Sequence, residues 1–187
     1  VTAWGDALAS SNAKLKILNL GYIGSITAAG WANFFRCFRS NINPSLEDIN
    51  LYNNNIDDEA LVALTTALFT SGKLKVLDLG NNPSISAAGW QTFFTSLHNF
   101  DTLLEDLYLA NNNINDAAVT SMVDTLNGIE SLTRLDLSYN PFSSAGWIAL
   151  STLLQHPNSS LKDLTISTHG SSINRNINDE VAMRYAN

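Results

Sequence analysis

The side chains able to do chemistry are few and scattered. His98 and His156 fall late in helical stretches and His169 in a turn, none with a cysteine or carboxylate at metal-ligand spacing, so all three read as surface histidines. Cys37 is the sole cysteine, which excludes an internal disulfide framework and a Cys-based zinc site. Its neighbours Phe34, Phe35 and Phe38 point to a buried thiol acting as a small apolar residue. No H-E-x-x-H, G-x-S-x-G or G-x-G-x-x-G occurs, and Gly72-Lys73 runs into Leu74 without the upstream Gly of a phosphate loop. Asn158-Ser159-Ser160 matches the glycosylation triplet, a match that chance supplies in a chain with 23 asparagines. No catalytic residue, cofactor or metal site is expected. The chemistry left is recognition, by Asp48, Asp78, Asp106, Asp136 and Asp163 with Asn50, Tyr52, Tyr108 and Arg134, all at fixed offsets in a repeat.

That repeat is L-x-x-L-x-L, at Leu15-Leu18-Leu20, Leu46-Ile49-Leu51, Leu74-Leu77-Leu79, Leu104-Leu107-Leu109, Leu132-Leu135-Leu137 and Leu161-Leu164-Ile166. The starts lie 31, 28, 30, 28 and 29 residues apart. Its L-x-L part predicts a short strand with one buried face. Three residues on stands Asn54, Asn82, Asn112 or Asn140, with Ile23 and His169 in the outer copies. An amide there can both donate to and accept from the backbone of a tight turn, which predicts an asparagine ladder inside a stack. A second apolar anchor (Ile26, Ile56, Ile85, Ile114, Phe142, Ile177) precedes a helix-capping residue (Thr27, Asp57, Ser86, Asn115, Ser143, Asn178) in all six copies. Helix-period apolar residues follow, such as Leu61, Leu64 and Leu68.

Each unit therefore reads strand, turn, helix, return, and buries its apolar stripe only by stacking on its neighbours. The pattern resembles the leucine-rich repeat family, ribonuclease-inhibitor-like class, over almost the whole chain. The resemblance implies an α/β right-handed solenoid, a horseshoe with a parallel concave sheet and convex helices, in an intracellular setting. Odd copies carry Trp31, Trp90 and Trp147 where even copies carry Leu61 and Val119, so these indoles are expected in the core. Gly30, Gly89 and Gly146 precede them, which predicts close backbone approach beside the indole. The chain is expected to be a single domain, 1–187, and part of a longer array, since it opens at Val1 with no capping module. Val1 to Lys14 resembles the tail of an even helix, and INDEVAMRY (177–185) an even helix. An insertion around Gly170 to Asn176 leaves open a disordered or a contact loop.

Positions 3, 5 and 7 of L-x-x-L-x-L-x alternate away from the core and are expected to face solvent. They carry five Asp against one Arg. The acids read equally as solvated strand residues or as a surface for a partner, with the two Tyr as anchors. Six strands give a face of roughly 400–500 Å², against about 800 Å² per partner in a standard interface, so loops or further repeats are expected to contribute. The net charge of −7 and pI near 4.7 argue against nucleic acid or an anionic membrane as main partner. No apolar run approaches the roughly 20 residues of a membrane helix. The expected function is a non-enzymatic protein-interaction module for a basic partner. The alternatives are a scaffold subunit docked by its ends or convex helices in a larger complex, and a regulator like the relatives that activate GTPases.

Overall fold

The computed structural model describes residues 14–40, 45–69, 73–100, 102–157, 159–168 and 171–176. The strands are β1 (Ile17–Asn19), β2 (Asp48–Asn50), β3 (Val76–Asp78), β4 (Asp106–Tyr108), β5 (Arg134–Asp136), β6 (Asp163–Thr168) and β7 (Ser171–Asn176). Between them run α1 (Ala28–Ser40), α2 (Asp58–Phe69), α3 (Ala87–Leu97), α4 (Asp116–Leu126) and α5 (Ser144–Gln155). One sheet takes the strands in chain order, and β1 to β6 are all parallel. The register joins Ile17, Asp48, Val76, Asp106, Arg134 and Asp163 in one row, so equivalent residues of successive repeats stand side by side.

The middle aliphatic of each strand points inward. Leu18, Ile49, Leu77, Leu107, Leu135 and Leu164 are all buried, and each contributes about 1.5–3 kcal/mol. Each of the five described helices starts behind the expected cap. Thr27 Oγ1 accepts from Gly30 N, Asp57 Oδ1 from Ala60 N, Ser86 Oγ from Gly89 N, Asn115 Oδ1 from Ala118 N and Ser143 Oγ from Ala145 N. Trp31 and Trp90 have no exposed surface, and each packs one Phe edge-on and another stacked within the G-W-x-x-F-F segment. Trp147 differs. Leu150 and Ser151 replace the two Phe, and its ring lies half-buried against Phe142.

Asparagine closes the turns. Nδ2 of Asn82, which has no exposed surface, donates to Leu51 O of the preceding repeat at 3.1 Å and to Leu79 O of its own at 3.0 Å. Its Oδ1 accepts from Ile56 N. Asn54, Asn112 and Asn140 repeat the two-carbonyl bridge. Two further asparagine rows surround this one. Asn53, Asn81 and Asn111 have φ of 55–57°, a left-handed conformation that Asn tolerates, and their amides join Asn111 to Asn81 and Asn81 to Asn53. Asn55 and Asn113 reach back to Gly24 O and Pro83 O of the preceding odd repeat.

Three expectations change. The segment after β6 is no loop: β7 pairs antiparallel with β6 from Asp163↔Asn176 to Thr168↔Ser171 and makes a seventh strand. The helix glycines are set by a neighbour other than the indole. A β-carbon on Gly89 would meet the Asp58 carboxylate, and one on Gly146 would meet Asp116 and Phe142. Cys37 is half-buried rather than enclosed. His169, Asn158, residues 1–13 and the INDEVAMRY stretch with Ile177 and Asn178 lie outside the described residues.

Candidate functional site

The five described helices share one core with the inward residues of the strands, and the outward face of the sheet is built from positions 3, 5 and 7. At position 5 the reason for Asn and Asp is local. The ladder between strands leaves the position-7 N–H unpaired, and the position-5 side chain accepts from it. Asn19 takes Gly21 N at 3.0 Å, Asn50 takes Tyr52 N, Asp78 takes Gly80 N and Asp136 takes Ser138 N, the last three at 2.9 Å. Tyr108 breaks the series, because its side chain carries no acceptor at that reach. The register places it directly between Asp78 and Asp136.

Position 3 departs from the expected solvent-facing row at one residue. Asp106 is only 3% exposed and is held by Arg134 from the next strand, Nε donating to Oδ1 at 2.8 Å and Nη2 to Oδ2. The face's single Arg is thus spent on one acid. Ser138 and Ser167 at position 7 are also buried. Asp48, Asp78 and Asp136 remain half-buried with no salt bridge among the described residues, and Asp163 is exposed on β6. Burial holds the Asp78 carboxyl above its ordinary range, opposed by the Gly80 N–H and reinforced by Asp136 and Asp48. Burial, then Asp106, does the same to Asp48. The Tyr108 hydroxyl is also pushed up, by burial first and then by the Asp106 charge.

Tyr52 lies across the sheet. A β-carbon on Gly80 would stand 2.9 Å from Cδ2 of Tyr52 and 3.2 Å from Oδ1 of Asp78, so glycine there lets the ring lie down beside the carboxylate. Tyr22, 73% exposed, flanks the same ring with centroids 5.2 Å apart. Sequence reasoning missed Tyr22 and the Gly80 platform. The available signal was the Gly21-Tyr52-Gly80 row at position 7. It also missed the edge row at position 2, where Lys16 pairs with Glu47 at 2.8 Å and Lys75 with Glu105 at 3.1 Å. Among the described residues no group of three His, Cys, Asp or Glu could hold a metal ion, and no helix is long and apolar enough to cross a membrane.

Strand–turn–helix units in parallel register, closed by an asparagine ladder, define an α/β leucine-rich-repeat solenoid. The chain is a leucine-rich repeat protein. A family model described as leucine rich repeat matches residues 43–64 and 128–151. Human NACHT, LRR and PYD domains-containing protein 7 is 32% identical over 124 residues, 66% of this chain, and the chain spans 12% of that protein's length. The fold is similar to that of a leiomodin-1 domain named actin-binding site 2, with TM-score 0.64 and 17% identity over 81% of this chain and 86% of that one. Leucine-rich repeat domains generally mediate protein–protein contacts, and proteins of this kind are typically non-enzymatic.

Proposed function

We propose that the open sheet face binds a basic segment of a partner protein, with Asp78, Tyr108 and Asp136 at its centre and Asp48, Asn50 and Tyr52 beside them. The observation that carries this is a surplus of charge. The turn at position 5 needs an acceptor and no more, and Asn19 and Asn50 supply it without charge. At the two places flanking Tyr108 the acceptor is Asp instead, although burial already disfavours the Asp78 carboxylate. Tyr108 itself gives up the turn bond. Residues that break the local rule against their own stability are accounted for by a ligand. The ligand suited to two carboxylates around an aromatic ring is cationic. Arg134 stands as a positioning residue that keeps Asp106 folded down.

The test is surface binding of the protein to matched peptides, one Lys/Arg-rich and one Asp/Glu-rich, at two salt concentrations. The basic peptide should bind, weaken with salt, and weaken roughly tenfold or more when Asp78 and Asp136 are both changed to Asn. Equal binding of both peptides, or no response to the double change, overturns the reading.

A further inference from the structure

We infer that the Tyr52–Asp78 pair is a seat for one arginine side chain of that basic segment; this rests on the reading above and adds the identity of the anchor. Gly80 is the key. Its missing β-carbon would sit 2.9 and 3.1 Å from Cδ2 and Cε2 of Tyr52 and 3.2 Å from Oδ1 of Asp78. One edge of the Tyr52 ring and the Asp78 carboxylate oxygen therefore converge over one glycine. Gly80 shows no positive φ that would require glycine, so the room it leaves for the ring is what its side-chain-free backbone provides. Gly21, on the other side, leaves Tyr52 bounded by Tyr22, and the two rings meet at 51°.

Asp78 Oδ1 is engaged by Gly80 N, which fixes the carboxylate and leaves Oδ2 to receive a donor. A planar guanidinium can lie against the Tyr52 ring while one of its N–H groups reaches that oxygen. A lysine ammonium, a compact and strongly hydrated charge, gains less from the ring. The seat therefore discriminates between two cations that a merely acidic face would treat alike. Position-7 residues on later strands do not reproduce it. Ala110 and Ser138 stand where Tyr52 does, so the seat occurs once among the described residues.

The experiment is an NMR titration of the whole chain with three short peptides that differ only in paired arginines, lysines or citrullines. Arginine should bind about fivefold or more tighter than lysine, with the largest shifts on the Tyr52 and Tyr22 rings, and citrulline should not bind. Gly80→Ala, which forces the ring to swing away, should remove the arginine preference. Tyr52→Leu should do the same, and serves should Gly80→Ala fail to fold. Asp124→Asn, an exposed acid on α4 outside the open sheet face, should change neither affinity. Equal binding of arginine and lysine that still falls in Asp78→Asn overturns the seat and leaves the acidic-face reading standing. Binding of citrulline as tight as arginine overturns both.

Discussion

A β-carbon built on Gly89 would lie 2.0 Å from Oδ1 of Asp58, a residue of the preceding repeat. The contact is one half of a clamp. Asp58 opens α2, where its charge favours its own helix N-terminus, and it also accepts from Ser86 N at 2.7 Å and Ser86 Oγ at 2.6 Å at the start of α3. Asp116 does the same between α4 and α5, taking Ser143 N, Ser143 Oγ and Gly146 N. One carboxylate thus serves two helix starts, and the paired rhythm of the repeats has a physical cause: even repeats present an acid that odd repeats receive.

The first prediction follows from that geometry. Ala in a helix interior is normally favoured over Gly by about 1 kcal/mol. Gly89→Ala should nevertheless destabilise by about 1–3 kcal/mol, because a fixed carboxylate must move. Adding Asp58→Ala should recover part of the loss, so the two changes are non-additive in urea unfolding. Strict additivity would sink the clamp.

The inner asparagine row gives the second. Asn82→Ala leaves the N–H of Ile56 without its partner in a site closed to water, and takes one of two amide donors from the carbonyls of Leu51 and Leu79, which keep Asn54 and Asn112. The orphaned N–H costs about 1–3 kcal/mol and each lost carbonyl bond about 0.5–1.5 kcal/mol, so the loss should be about 2–4 kcal/mol. Asn140→Ala, at a half-buried turn, should cost visibly less. Denaturant midpoints of the two variants check the order.

Most of the fold is legible in the sequence because period-2 and period-3.6 hydrophobicity recur at a fixed spacing, and burial of Leu18 through Leu164 enforces it. The asparagine at position 54 and its equivalents is legible for the same reason. The flanking rows were not, although Asn53-Asn54-Asn55 and Asn111-Asn112-Asn113 advertise three separate duties by their equal offset. β7 was missed because the repeat frame read residues 170–176 as an inserted loop, disordered or in contact with a partner, ahead of the next helix. Gly170 and the alternating Ser-Ile-Asn-Arg-Asn stretch carry a hairpin signal that the frame overrode. The face was legible in composition and not in pairing. Alternation says which way Asp106 starts out, but only the β4–β5 register shows that Arg134 folds onto it.

The pH dependence separates two kinds of aspartate. Asp78 has a folded pKa above its unfolded value of about 3.9, so its contribution favours folding at low pH and is lost as pH rises through the folded pKa. Asp78→Asn keeps an acceptor for Gly80 N and removes the charge. It should raise the urea midpoint at pH 7, and the gain should vanish as pH falls below about 4. Asp116 has the opposite sign. The Ser143 hydroxyl first, then the backbone N–H groups of Ser143 and Gly146, hold its carboxyl below the ordinary value. Its contribution is present above about 3.9 and lost as pH falls through the folded pKa. Asp116→Asn should therefore lower the midpoint at pH 7 and converge on wild type in acid. Parallel pH profiles for the two variants would contradict the assignment.

Arg134 and Asp106 supply the last prediction, because stability and binding should respond to them in opposite directions. Arg134 is about half exposed and Asp106 nearly enclosed, so removing the cation strands a carboxylate that water reaches poorly. Arg134→Ala should cost about 1–3 kcal/mol, less than the 3–5 kcal/mol of a fully buried pair, because Arg134 is partly solvated. The same change uncovers a further negative charge beside Tyr108 and Asp136, and should tighten binding of a basic peptide while steepening its salt dependence. Replacing both residues, Asp106→Leu with Arg134→Leu, removes the stranded charge and should restore much of the stability without the gain in affinity. Thermal unfolding and the peptide titration, run on the same three proteins, distinguish this from a general loosening of the sheet, in which affinity and stability would fall together.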